Sequence, residues 1–248
     1  MTRKLFIISS LLILATLSWG AGCPAVPLPT VDAQTVQVCH DAYVSLYDVK
    51  AHVPRVVVYE LTRRHTLGCL ARAANFHGEP GTAKPAEYNG TGYDLGHMMS
   101  AEDASWSAEI EHDSFSMVNV VPQLPGLNRQ EWERLEEAVR AWAWARKDVL
   151  VYVGPILSDI PKTIGNDIAV PEAFFKIVVD TSTGEAIAFI LPQKAEPKGS
   201  VWVWESSYVE VARQTGITFP RGWKATHPWD LDLTGWRAAH RAQCKESQ

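Results

Sequence analysis

Leu127-Asn128-Arg129-Gln130-Glu131-Trp132-Glu133-Arg134-Leu135-Glu136-Glu137-Ala138-Val139-Arg140 is the stretch on which the reading of this chain turns. Trp132, Leu135, Val139 and Trp142 recur at helical spacing and form an apolar stripe, so a helix is expected over Arg129 to Arg146. Asn128 stands where an N-cap belongs, and Glu131 three residues on completes a capping box. At about 100° per residue, Glu136 lies about 80° around the helix from Asn128, and Arg140 about 40° further. An amide, a carboxylate and a guanidinium thus share one flank beside the stripe. Taken singly, each has a plainer explanation: Asn128 as an N-cap, Glu136 and Arg140 as an i,i+4 ion pair on a solvated face. Charges set against core residues are costly unless they are satisfied or used.

Upstream, Tyr93-Asp94-Leu95-Gly96-His97 sits among Gly90, Gly92 and Gly96, a backbone able to bend tightly and to be approached closely. Asp94, three residues before His97, is placed to fix the imidazole or a metal-bound water. Alone, Asp-x-Gly-His is a weak motif. Strands are expected at Val56 to Leu61, at Val149 to Val153 before Gly154-Pro155, and as a hairpin of Phe174 to Val179 and Ala186 to Leu191 about the turn Thr181 to Glu185. Val201 to Trp204 reads as a further short strand, and Ser206 to Gln214 as a helix ended by Gly216. Gln193 to Ser200 reads as a polar loop and His112-Asp113 as an exposed polar turn. Strands mixed with helices, without regular βαβ alternation, indicate an α+β fold.

In combination these motifs resemble the DNA/RNA non-specific endonucleases, which carry a ββα-metal active site. That family's signature is Asp-Arg-Gly-His, followed about 30 residues later by an Asn that begins a helix; here the counterparts are Asp94-Leu95-Gly96-His97 and Asn128. Between them, Asn119-Val120-Val121-Pro122-Gln123 is similar to the family's Asn-x-x-Pro-Gln. Tyr152-Val153-Gly154-Pro155, Val170-Pro171 with Phe174-Phe175-Lys176, and Ala186 to Pro192 resemble its later strands. The resemblance covers about Val56 to Gly216. It implies a ββα-metal core with a central antiparallel sheet flanked by helices, and hydrolysis of phosphodiester bonds in DNA and/or RNA.

By position, the resemblance makes His97 the general base, Asn128 the direct ligand of one Mg²⁺ (or Mn²⁺), and Glu136 the holder of metal-bound water. Arg140 would stabilise the scissile phosphate, with similar work for Arg72 and a substrate contact for Gln123. A hard cation that keeps most of its waters suits a single amide oxygen, and a neutral imidazole accepts a proton near pH 7. Leu95 departs from the signature arginine. Two other readings follow from the same residues: a secreted phosphodiesterase acting on something other than nucleic acid, or a catalytically impaired nucleic-acid-binding module, which Leu95 would mark. No Gly-x-Ser-x-Gly elbow, His-Glu-x-x-His or Walker loop supports another hydrolase.

The rest of the composition concerns compartment and size. Arg3 and Lys4, an apolar run from Leu5 to Leu17, and small residues at Ser18, Gly20, Ala21 and Gly22 read as a signal peptide over residues 1–22. A retained anchor would need about 20 apolar residues. Residues 23–248 then form a single domain, secreted or periplasmic, with no stable membrane association. Apolar residues at 46%, with 10 Trp, supply a sizeable core. Loss of Arg3 and Lys4 moves the formal charge from -5 to -7, which disfavours a tight non-specific nucleic-acid binder but permits an enzyme that releases product from a local basic cleft. Four cysteines behind a signal peptide suggest two disulfides with three possible connectivities; Cys23–Cys39 with Cys69–Cys244 is favoured, and a zinc site is the competing use.

Overall fold

Val53–Thr62 shows why the chain forms a sheet. Half of its residues are β-branched, and its alternate residues point to opposite faces: Val57, Tyr59 and Leu61 into one apolar cluster, Val56 and Val58 into another. The computed structural model describes residues 22–31, 34–72, 75–194, 199–226 and 229–246. The expected signal peptide lies outside these, apart from Gly22.

Strands β1 (Thr35–His40), β2 (Tyr43–Asp48), β3 (Val53–Thr62), β6 (Asp148–Ile156), β9 (Ala173–Asp180) and β10 (Glu185–Pro192) pair in that order, every neighbour antiparallel. Two-residue strands complete the edge beyond β10: β11 (Glu205–Ser206) antiparallel and β12 (Lys224–Ala225) parallel to it. A separate hairpin joins β4 (Asp94–His97) to β5 (Val120–Gln123), and a small pair joins β7 (Thr163–Ile164) to β8 (Ile168–Ala169). The helices are α1 (Ala108–Ser114), α2 (Glu133–Arg146), α3 (Tyr208–Thr215) and α4 (Leu233–Glu246). The β4–β5 hairpin and α2 cover one face of the sheet, where Trp132, Leu135, Val139 and Trp142 pack on Tyr59, Val151 and Phe174. Val211 of α3, with Ile217 and Phe219, covers the other. This mixed architecture with a large antiparallel sheet agrees with the expected α+β class.

The hairpin about Thr181 to Glu185 forms as expected, with Asp180 Oδ1 accepting from the Ser182 and Thr183 amides and Gly184 at φ 72°. Helix α3 is capped by Ser207, whose hydroxyl accepts from Glu210 N, and ends at left-handed Gly216. Both expected disulfides are present, with Cα atoms 5.0 Å apart at Cys23–Cys39 and 5.3 Å at Cys69–Cys244, so no thiolate is left for a zinc site. Among the described residues, no helix is long and apolar enough to cross a membrane.

Several expectations are corrected. Val201–Trp204 is a 3₁₀ turn, started by the Ser200 hydroxyl and held by Trp204 Nε1 donating to Glu131 Oε2. Glu131 is therefore buried and closes no capping box. Asn128 is not an N-cap: its backbone N–H donates to Leu124 O, and it lies within a π-wound turn, Leu127–Trp132, that feeds into α2. Such turns shift side-chain phase and are common at functional sites. His112 and Asp113 belong to α1, not to an exposed turn, and the Asp113 carboxylate meets His40 Nδ1 at 3.2 Å. Gln193, at the start of the expected polar loop, is buried and ties Leu124 N to Pro122 O.

Candidate active site

The β4–β5 register sets Asp94 opposite Gln123, Leu95 opposite Pro122, Gly96 opposite Val121 and His97 opposite Val120. Gly96 is needed for close approach, because a Cβ there would fall 2.1 Å from Gln123 Oε1. Asn119 clamps the turn after His97: its Oδ1 accepts from Met99 N and its Nδ2 donates to Met99 O and Ser114 O. Trp132 Nε1 donates to His97 O at 3.2 Å and ties the helix to the strand. The Asn-x-x-Pro-Gln resemblance thus has a physical basis, since Asn119 and Gln123 lock the strand that carries His97.

His97 packs between Phe76 and the edge of Phe115, at 4.9 and 4.8 Å between ring centroids, with Arg72 over the Phe115 ring at 4.9 Å. Burial, reinforced by the Arg72 charge, lowers its pKa from 6.5 to about 3, so the ring is neutral at pH 7. Nε2 is buried without a hydrogen-bond partner among the described residues.

Asp94 does not contact the imidazole. It accepts from Asn128 Nδ2 at 2.9 Å and from Arg129 Nε and Nη2 at 2.8 and 2.6 Å. Burial pushes this carboxyl up, but the bonds from Arg129 and Asn128 and the Arg129 charge outweigh it and hold the group below its ordinary 3.8. Because Nδ2 is engaged, the Asn128 amide has its oxygen left over as an acceptor.

One cleft of about 260 Å³ brings together Arg72, Leu95, His97, Asn128 and Glu136, with Ser100, Glu102, Arg129 and Glu133 around them. An amide oxygen with several carboxylates is a hard, oxygen-only donor set and fits magnesium. Beneath the cleft, Lys176 Nζ lies 3.9 Å from Glu136 Oε1 and 4.5 Å from the Trp132 ring centroid, with no hydrogen bond. Strand period explains the meeting: Lys176 shares its face of β9 with Phe174 and Val178, under α2. Burial pushes Glu136 up to about 8 against the charges of Lys176 and Arg140, and pushes Lys176 down, so the two titrate as a pair.

Two expected site residues stand elsewhere. Arg140 is not in the lining of the cleft; its Nη1 donates to Asp103 Oδ1 at 2.9 Å and Ser100 Oγ at 3.1 Å, and its guanidinium lies 5.3 Å from the Trp236 centroid. Arg140 lies one turn beyond Glu136 on the same helix, about 6 Å along its axis, and its bonds to Asp103 and Ser100 hold it behind the cleft. Gln123 is fully buried under Gly96, and neither amide atom has a partner among the described residues. Conversely, Arg129, Asp103 and Lys176 shape the site and were not foreseen. Arg129 could have been noticed as the neighbour of Asn128; the other two depend on pairing across the sheet.

A hairpin thus carries a buried neutral histidine, and the helix that follows presents an amide and a carboxylate to the same cleft. The profile of the DNA/RNA non-specific endonucleases matches residues 24–226, and the chain belongs to that family of nucleases. It is 31% identical over 173 residues to mitochondrial endonuclease G of Bos taurus, covering 61% of this chain and 57% of that protein. It is 29% identical over 197 residues to mitochondrial nuclease EXOG of Mus musculus, covering 70% and 54%. The matches thus span little more than half the length of these relatives. The solved structure of EndoG bound to its inhibitor EndoGI superposes with a TM-score of 0.68 at 24% identity, over 80% of this chain and 87% of that one, which is a likeness of fold.

Proposed function

We propose that the chain is a metal-dependent endonuclease that hydrolyses phosphodiester bonds of DNA and/or RNA. The observation that carries this reading is that His97 and the Asn128 amide line one cleft. His97, kept neutral, accepts the proton of the attacking water. Asp94 holds Nδ2 of Asn128 so that Oδ1 is directed to the Mg²⁺ (or Mn²⁺) that it would hold, with Glu136 beside it. When bound, that cation supplies positive field at the developing negative charge and lowers the barrier to leaving-group departure. Arg72 reaches the phosphate from the exposed wall. Arg140 has a positioning part, since it fixes Ser100 and Asp103 behind the cleft. Two disulfides support an oxidising compartment, either periplasm or external medium, after removal of residues 1–22.

The test is nicking of a plasmid and digestion of RNA by the purified chain in Mg²⁺ and in EDTA, beside His97→Ala. Activity that EDTA abolishes, with His97→Ala lowered by roughly two to four orders of magnitude while the protein stays folded, is expected from loss of a general base. Near-full cleavage by His97→Ala refutes the assignment. EDTA-sensitive cleavage of a small diester but of neither nucleic acid transfers the site to another phosphodiester class.

A further inference from the structure

Beside the cleft runs a second groove, of about 560 Å³, between Arg64, His65, Leu70, Ser105, Trp106 and Gln243. Its floor is rigidly built. Leu70 N donates to Ser105 O at 3.0 Å, and a Cβ on Gly68 would fall 2.4 Å from the Ser105 carbonyl carbon and 2.5 Å from Trp106 N. The two segments therefore touch backbone to backbone. The Cys69–Cys244 disulfide ties the same loop to α4, and His240 Nε2 meets Gly68 O at 2.8 Å.

Trp106 stands at the rim. Among the described residues it is the one Trp, Tyr or Phe in the exposed class, at 37%. One face of its ring is backed by His65, at 4.0 Å between centroids and 10° between planes. Burial and the neighbouring Arg64 charge lower the His65 pKa below 6.5, so the backing ring is uncharged at neutral pH. An exposed indole supported from behind is pre-set for a flat partner: its geometry is fixed before binding, and little side-chain entropy remains to be lost.

The groove and the cleft share no lining residue, but a third pocket shares Leu70 and Ser105 with the groove and Glu102 and Glu133 with the cleft, and so links them. On one segment, Leu70 lines the groove and Arg72 the cleft; on the other, Trp106 lines the groove and Glu102 the cleft. Four residues from Glu102 to Trp106 span at most about 14 Å. At roughly 3.4 Å of rise per nucleotide of one strand, that is within about four nucleotides of the cleft. Arg64 supplies positive charge at the groove and Arg72 in the cleft, and neither has an ion-pair partner among the described residues.

We infer that this groove is a nucleobase subsite: a base of the substrate strand, a few nucleotides from the phosphate held in the cleft, stacks on Trp106 while Arg64 takes a backbone phosphate. Stacking on an aromatic face does not discriminate strongly among bases, so the subsite would lengthen the footprint without imposing a sequence. The inference rests on the nuclease reading for its substrate class. A protein segment would need an acidic side chain at each arginine and a flat one at Trp106, whereas a nucleic-acid strand carries a phosphate and a planar base at every nucleotide.

The test compares the unaltered chain with Trp106→Ala, Trp106→Phe and Arg64→Gln, with folding followed by thermal melting. In EDTA, binding of a single-stranded DNA dodecamer should weaken roughly 5- to 150-fold in Trp106→Ala and largely recover in Trp106→Phe. Arg64→Gln should lower the salt dependence of binding. In Mg²⁺, the ratio of kcat/KM on the dodecamer to that on thymidine 5′-(4-nitrophenyl phosphate) should fall in Trp106→Ala by a similar factor, through KM. Dodecamer binding and a substrate ratio that are both insensitive to Trp106→Ala overturn the inference. Failure to hydrolyse either substrate would remove the nuclease reading, and the binding arm in EDTA would still decide the role of Trp106.

Discussion

Replacing Asp94 by alanine removes the acceptor that orients the Asn128 amide. In the folded protein Asn128 Nδ2 donates to Asp94 Oδ2 at 2.9 Å, which leaves the amide oxygen to face a cation. The two ends of a carboxamide have nearly the same shape, so without Asp94 the side chain can turn its nitrogen to the cleft almost as readily as its oxygen. A hydrogen bond to a charged acceptor is worth about 1.5–3 kcal/mol net. Losing that bias lowers the occupancy of the competent orientation, and apparent affinity falls by the same fraction. With the two orientations then about equally populated, a decrease of about twofold in apparent Mg²⁺ affinity follows, with kcat approaching that of the unaltered chain once Mg²⁺ is saturating. The assay is a Mg²⁺ titration of DNA cleavage at fixed ionic strength, with Mn²⁺ binding measured by calorimetry as an activity-independent readout. Asp94→Asn, still an acceptor but uncharged, should lie between. Unchanged metal affinity in Asp94→Ala, or a loss of kcat that no Mg²⁺ concentration restores, refutes the positioning role. Release of Arg129 from Asp94 is a side effect of the same change, and Arg129→Gln measures it separately.

Further outcomes are expected at three sites. Lys176→Met keeps the packing volume but leaves the Glu136 carboxylate buried without its partner, so stability should fall by about 3–5 kcal/mol at a pH where Glu136 is ionised. With Lys176 gone the Glu136 carboxyl rises further, so the acid limb of the pH–rate profile should move to higher pH; an unmoved limb excludes a functional pairing. At His40, burial lowers the pKa, but Asp113 and Glu79 outweigh it and raise the value from 6.5 to about 9, a difference of about 3 kcal/mol. That stabilisation is complete below 6.5 and is lost as pH rises through 9, so the melting-temperature gap between the unaltered chain and His40→Gln should be wide at about pH 6 and narrow above about pH 9. Gly96→Ala forces a Cβ toward Gln123 Oε1 and should cost about 1–3 kcal/mol in urea unfolding, with a drop in kcat because His97 is the next residue.

How much of this was legible in the sequence depends on how local the signal is. β3, β6 and the β9–β10 hairpin announce themselves through β-branched runs and turn residues, and α3 through Ser207 and Gly216. β1 and β2 escape because Gln37, Ser45 and Asp48 dilute the apolar alternation, and the pairing is long-range. α4 escapes because only Trp236 of its length is buried, so it has almost no stripe to read. The site divides likewise. His97, Asn128, Glu136 and Arg72 were legible through motif order, and they share the cleft. Arg140 and Gln123 were assigned by position along the chain, but the ion pair with buried Asp103 and the hairpin register turn them into supporting places. Asp103 and Lys176 have no sequence neighbour that betrays them. Asp103 is held by Tyr59 across 44 residues, and Lys176 meets Glu136 only because β9 passes under α2.

The C-terminal helix has a consequence for where this protein can be cut. Residues 233–246 lie beyond the family match at 24–226, yet Trp236 Nε1 donates to Thr66 O, Arg237 pairs with Glu137, and Cys244 is bonded to Cys69. The covalent ring so closed spans 175 residues of sequence and encloses both walls of the cleft. A chain shortened to its recognisable boundary would leave Thr66 and Glu137 without these partners and open the back of the site. The family match and the contacts that hold the site together therefore end at different points, and residues 233–246 act as a clasp across the back of the catalytic framework.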